Sequence, residues 1–305
     1  MKKVIVAGSL NVDLTIEVDK MPVQGETIHG HDYFVNEGGK GGNQAIAAVK
    51  SAADTIFIGS VGKDVFGKQV LDSLEKFHIS TRCIQIHEDV STGTAMIIRE
   101  NNDNRIILNP GANYAMKFEF AKEQLDKVAS EGDIFITQFE NDLDATFKLI
   151  EYAKSLKMKT ILNPAPAKKI PDEVYKYIDL LVINQSECEV ICGIYPNNDE
   201  ECLKAAEVLK DKGASNIIIT LGKEGSLTIT NKENIRVNAH KVQAVDSTAA
   251  GDSFIGAMAA KLSMGTSLKE SIEYATKVSA VTVTRKGAQI SIPTEKEVNE
   301  FFNNI

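Results

Sequence analysis

The sequence predicts an α/β fold with a mostly parallel central sheet covered by helices. Continuous apolar runs recur along the chain, as expected of strands buried on both faces of a parallel sheet. Helical patterns fall between these runs, and strand alternating with helix indicates βαβ units. No Pro/Ser-rich linker or internal repeat interrupts the pattern over 305 residues. That length suits one main domain.

Val4-Ile5-Val6-Ala7, ended by Gly8, is the first expected strand. Met1-Lys2-Lys3 before an apolar run superficially resembles a signal peptide. The run is short, contains Gly8 and Ser9, and meets Asn11 and Asp13 at once, so a strand fits better. Residues 12–35 lack a helical pattern and alternate in Leu14-Thr15-Ile16-Glu17-Val18, which reads as extended. Glu37 to Gln44 is glycine-rich and precedes an expected helix over 45–50. A strand over 55–58 and a helix over 65–77 follow. A second extended stretch, 91–109, alternates in Thr94-Ala95-Met96-Ile97-Ile98. The two stretches can pair as a small separate sheet, either a lid over a cleft or a dimer surface. Strands are expected at 134–137, 160–162, 180–183 and 216–220, with helices at 143–156 and 200–212. Asn163-Pro164-Ala165-Pro166 reads as a rigid loop, and Asp199-Glu200-Glu201 as an acidic helix start favoured by the dipole. A strand-like Ala244-Val245 leads to a helix from Ala250 through Leu262, and a second helix spans 267–282.

A net charge of −8 argues against a nucleic-acid backbone as partner, yet leaves small anions open, because a helix start needs no net positive charge to bind one. No stretch approaches the roughly 18 apolar residues of a membrane span. Cys83, Cys188, Cys192 and Cys202 form no C-x-x-C pair and suit a reducing cytoplasm. Cys188 and Cys192 share a helix face as small hydrophobes. His29 and His31 are spaced to bind a metal, yet they lie in the extended stretch with no cysteine nearby, which favours the reading without one.

The segment Asp246-Ser247-Thr248-Ala249-Ala250-Gly251-Asp252-Ser253-Phe254 carries the clearest chemistry. Small residues at a helix start let a ligand approach backbone N–H groups, and the dipole there favours negative charge. Asp252 is either a helix cap or a base beside an anion hole, placed to deprotonate a hydroxyl under phosphoryl attack. Gly38-Gly39-Lys40-Gly41-Gly42-Asn43-Gln44 matches neither a Walker A loop nor G-x-G-x-x-G, so it is a flexible turn or a site of close backbone approach. Asn11, Asp13, Glu140, Asn184 and Glu187 each follow an apolar strand, where open α/β sheets place ligands; each alone could be a turn former or cap.

These two segments resemble the N- and C-terminal signatures of the ribokinase/phosphofructokinase-B sugar kinase family. The resemblance spans the chain in order, through Gly8-Ser9-Leu10-Asn11-Val12-Asp13, Asn163-Pro164-Ala165-Pro166, Asn184-Gln185-Ser186-Glu187 and Thr220-Leu221-Gly222. Asn11 with Asp13 and the Gly-Gly-Lys-Gly-x-Asn-Gln run point within the family toward the ribokinases. The resemblance implies a three-layer sandwich, one kinase domain over 1–305, and a β-lid from 12–35 and 91–109 that also forms a homodimer. It implies ATP-dependent phosphorylation of the ribose 5-hydroxyl in the cytoplasm, with a kinase of deoxyribose, another sugar or a nucleoside as the alternative, and a non-catalytic sugar sensor as a further one. Asn11, Asp13, Gly39, Lys40, Asn43 and Glu140 are the implied sugar contacts. Asp252 is the implied base, and Ala249, Ala250 and Gly251 the anion hole. Asn184, Glu187, Thr220, Gly222, Gly225, Gly251 and Thr276 are implied ATP contacts, with Glu187 organising Mg²⁺. Asp246, Thr248, Thr282, Arg285, Gly287 and Ser291 are implied to hold K⁺, many through carbonyls. Ala249 stands where many family members have glycine.

Overall fold

The protein's structure, a computed structural model, describes residues 1–100 and 103–303. Residues 101 and 102 of the second expected lid stretch, and 304 and 305 of the expected domain, lie outside the described residues. The chain begins with β1 (Val4–Ala7), β2 (Asn11–Glu17), β3 (His31–Gly38), α1 (Lys40–Lys50), β4 (Thr55–Gly62) and α2 (Val65–Lys76). It continues through β5 (Ile84–His87), β6 (Gly93–Glu100), β7 (Asp103–Asn109), α3 (Ala112–Ala115), α4 (Phe118–Val128), β8 (Ile134–Gln138) and α5 (Leu143–Ser155). Then come β9 (Lys159–Asn163), β10 (Leu180–Asn184), α6 (Gln185–Cys192), α7 (Asp199–Asp211), β11 (Ile217–Thr220), β12 (Ser226–Ile229) and β13 (Asn234–Val237). Three helices finish it: α8 (Ala250–Ser263), α9 (Leu268–Thr282) and α10 (Glu295–Asn303).

Nine strands form the large sheet in the order β13-β12-β11-β10-β9-β8-β1-β4-β5. It is parallel from β11 to β5, and β12 and β13 add an antiparallel hairpin at one edge. Period-two alternation splits each strand between two cores. Val4 and Val6 of β1 pack with α1, α8 and α9 on one face, while Ile5 and Ala7 pack with α4, α5 and α7 on the other. Helices on both faces explain why these strands are apolar throughout, and the result is the expected three-layer α/β sandwich.

A second sheet, ordered β3-β2-β6-β7, is built from the two stretches read as extended. Here β2 pairs parallel with β6 and antiparallel with β3. The first stretch is two strands rather than one run, with 18–30 irregular between them. His31 lies beside Asp19 and Asp32. Cys188 and Cys192 share a face of α6, with their Sγ atoms 3.5 Å apart.

Two local expectations change. Only the front of the glycine run is a turn: α1 already starts at Lys40, so Gly41 and Gly42 lie in its first turn rather than ahead of the helix. The cause is close packing, since a Cβ on Gly41 would lie 2.6 Å from Gly8 Cα and Ser9 N. The stretch at Ala244-Val245 is not a strand. Its backbone finds no neighbouring strand among the described residues and is held by Val245 and Asp246 N–H groups donating to the Val283 carbonyl.

Candidate active site

The start of α8 lies at the centre of the cleft. Its N-cap, Ala249, takes a left-handed backbone (φ 61°) and supplies no side-chain cap. Asp252, in the first turn, is buried, and its carboxylate turns away from the helix end. Oδ2 accepts from Asn43 Nδ2 at 2.9 Å and Oδ1 from Gln44 Nε2 at 3.0 Å, both from α1. That geometry excludes the capping reading of Asp252. A Cβ on Gly251 would meet nothing within 4 Å, so open space faces the helix start.

Glu140, two residues beyond β8, gathers the sugar-side candidates. Its Oε2 accepts from Ser9 Oγ at 2.6 Å, the Lys40 backbone N–H at 3.1 Å and Asn11 Nδ2 at 3.4 Å. Gly39, at φ 89°, makes the turn that brings Lys40 there. Asp13 belongs to the same cluster: burial, then the charges of Glu140, Asp252 and Glu37, push its carboxyl up to about 7 against the pull of Lys40. Burial presses the Lys40 ammonium down, but Asp252, Glu140, Glu187 and Asp13 outweigh it and hold it above its usual value.

On the other side of Asp252, a cavity of about 190 Å³ is lined by Lys40, Asn184, Glu187, Thr220 and Ala249 to Asp252. It adjoins a cleft of about 840 Å³ whose walls include Thr220, Gly222, Gly225, Gly251 and Thr276. Asn184 and Glu187 form a reciprocal capping box on α6, with Glu187 Oε2 accepting the Asn184 N–H at 3.0 Å. Burial raises the Glu187 carboxyl, opposed by that N–H.

The six residues read as a cation set behave differently from one another. Asp246 is engaged by Thr248 N and Oγ1, Gly287 N and Arg99, and these partners outweigh burial to hold its carboxyl below the usual range. Thr282 donates its hydroxyl to Val278 O, Ser291 to Ala288 O, and Arg285 pairs with Glu297.

Several site residues were not read from sequence. Gln138 Nε2 donates to Gln44 Oε1 at 2.7 Å, and Gln44 in turn reaches both Asp252 and Asn163. Asn163 Nδ2 approaches Glu187 at 3.4 Å, so a buried amide chain joins the two carboxylates. Asn113 fixes Asn11, donating to its Oδ1 at 2.7 Å. Gln138 and Asn163 end strands β8 and β9, the signal that singled out Glu140; Asn113 and Arg99 carry no such signal.

An open helix start facing a cleft, with a buried carboxylate beside it and a polar cluster behind that carboxylate, is the arrangement of an α/β phosphotransferase of small molecules. Residues 1–295 match the family model for pfkB family carbohydrate kinases, and the chain belongs to that family. It is 36% identical to ribokinase of Staphylococcus aureus, covering 98% of this chain and 99% of that one. It is 33% identical to deoxyribokinase of Salmonella typhimurium, covering 98% of each. The structure of Arabidopsis thaliana ribokinase with ribose and ATP superposes with a TM-score of 0.89 at 27% identity, covering 98% of each chain.

Proposed function

We propose that this chain transfers the γ-phosphoryl group of ATP to O5 of D-ribose, giving D-ribose 5-phosphate. The observation that carries the reading is the Asp252 carboxylate, held by Asn43 and Gln44 between the Asn11–Asp13–Glu140 cluster and the open start of α8. Asn11, Asp13, Gly39, Lys40, Asn43 and Glu140 bind the sugar hydroxyls. Asp252 accepts the proton of the 5-hydroxyl as its oxygen attacks phosphorus, and a positioned base of this kind contributes about 10²- to 10⁴-fold. The first-turn N–H groups of α8, after Ala249, Ala250 and Gly251, face the negative charge that builds on the transferring group. Asn184, Glu187, Thr220, Gly222, Gly225 and Thr276 hold the nucleotide.

The carboxylate of Glu187, a hard oxygen donor, fits Mg²⁺ through bound water. Asp246, Thr248, Thr282, Arg285, Gly287 and Ser291, many through their carbonyls, would hold K⁺. Together the ions supply positive charge beside the phosphates. The small sheet is a lid that excludes water from the transfer, and its outer face joins two copies into a dimer. Sparse, unpaired thiols suit a cytoplasmic enzyme.

A deoxyribose kinase is the second reading, favoured by the 33% identity to deoxyribokinase. A sugar sensor has no use for a base beside an anion hole. ADP release measured over ribose, 2-deoxyribose, fructose and adenosine, with and without K⁺, decides among them. Ribose is expected to give the highest kcat/KM, and silence on every pentose would sink the proposal.

A further inference from the structure

We infer that Arg99 is a positioning residue that latches the small sheet onto the loop leading into α8, so that lid position reaches the anion hole through Asp246. The inference rests on reading that sheet as a lid over a sugar site.

Parallel pairing of β2 with β6 sets Asp13 opposite Ala95, Thr15 opposite Ile97 and Glu17 opposite Arg99. Residues paired this way point to the same side, so Arg99 shares the inner face of the lid with Asp13, four residues further along β6 than Asp13's partner Ala95. Its Nη2 donates to Asp246 Oδ2 at 3.2 Å. The pair is largely out of solvent, with 18% of the Arg99 side chain and 8% of that of Asp246 exposed. Asp246 Oδ1 accepts from the Thr248 N–H and hydroxyl at 2.9 and 2.6 Å, directly before Ala249. Its Oδ2 also accepts from Gly287 N at 3.2 Å. One carboxylate therefore joins the lid, the entry to α8 and the loop around Gly287. A second strap runs the same way, since Gln289 Nε2 donates to the Gly38 carbonyl at the end of β3.

Lid packing does not demand a cation here. The guanidinium lies over Phe34, 5.4 Å from the ring centroid, a place a methionine could fill. Its Nε is buried without a hydrogen-bond partner among the described residues, a cost that packing alone would not retain. A buried ion pair contributes little net stability against an apolar substitute, and its attested use is to fix the register of elements.

The test compares Arg99→Met, Arg99→Lys, Asp246→Asn and the Arg99→Met/Asp246→Asn double variant. Ribose affinity is measured by calorimetry, kcat and KM by ADP release, and hydrogen exchange over β6 by mass spectrometry. Arg99→Met should weaken ribose binding about tenfold, within the ordinary range of coupling between two sites, lower kcat and speed exchange in β6. Arg99→Lys should recover part of each. The double variant should be no worse than the poorer single one. A variant that only melts earlier, with wild-type ribose affinity, kcat and exchange, overturns the latch, as do additive losses in the double variant. If Arg99→Met does not fold, Arg99→Lys and Asp246→Asn carry the same readouts. If the wild-type chain prefers another sugar, that sugar replaces ribose. If no sugar is phosphorylated the functional reading fails, while exchange in β6 still decides the latch.

Discussion

Two carboxylates in the cleft, Asp252 and Asp13, are each open to a test at the level of one side chain. Replacing Asp252 by Asn keeps the shape but removes the proton acceptor. Turnover should fall by about 10²- to 10⁴-fold while calorimetric ribose affinity stays within a few-fold; retained wild-type turnover would exclude the base role. Asp13 titrates near 7 in the fold against 3.8 in a free chain. As a hydroxyl acceptor it works ionised, so kcat/KM for the sugar should fall as pH drops through about 7, and Asp13→Asn should lose that limb. The linkage has the opposite sense. Between about pH 4 and 7 the folded chain holds the extra proton, so this group's contribution to stability declines as pH rises across that window. Asp13→Asn should therefore melt higher than wild type at pH 8, a comparison that scanning calorimetry makes directly. Asp252 was legible in the sequence because its first-turn position beside small residues is a local pattern. Gln44, Gln138 and Asn163 join it from three separate elements, and only tertiary packing brings them together.

At the scale of the element, the starts of α1 and α8 use small residues for different reasons. A Cβ at Gly41 would collide with backbone at 2.6 Å, where no side chain can yield. Gly41→Ala should cost about 1–3 kcal/mol or more, read as a fall in denaturation midpoint. Gly251 faces open space within a helix, so alanine there should hold or raise stability by up to about 1 kcal/mol. Because that methyl enters the proposed phosphate site, turnover should nonetheless drop, and unchanged kcat would separate Gly251 from the anion hole. Ala249 holds a left-handed conformation that costs an alanine about 1–2 kcal/mol, so Ala249→Gly should raise the melting temperature slightly. The βαβ elements were readable because burial on both faces writes an uninterrupted apolar run. The start of α1 was not, because glycine at 41 and 42 argues locally for a turn and only the approach of Gly8 reveals a helix. Ala244-Val245 erred the other way, apolar enough for a strand but with no strand to pair.

Across the whole molecule, the outer face of the lid leaves apolar side chains uncovered: Met96, Ile107 and Tyr33 are each more than half exposed. The proposed dimer would cover them, so Ile107→Glu should convert a two-chain mass in light scattering to one. A wild-type chain that is already monomeric would remove that role from the sheet. The order of the large sheet has another effect. Its first strand, β1, lies between β4 and β8, with Val4 paired to both Thr55 and Ile134. As the chain leaves the ribosome, one edge of β1 stays bare until Ile134–Gln138 has emerged, roughly 4–15 s after β4 at ordinary translation rates. Bare apolar strand edges attract other chains. The seam at the middle of the sheet thus stays open through the synthesis of α2 to β8, and the nascent protein is exposed to misassembly while it waits there.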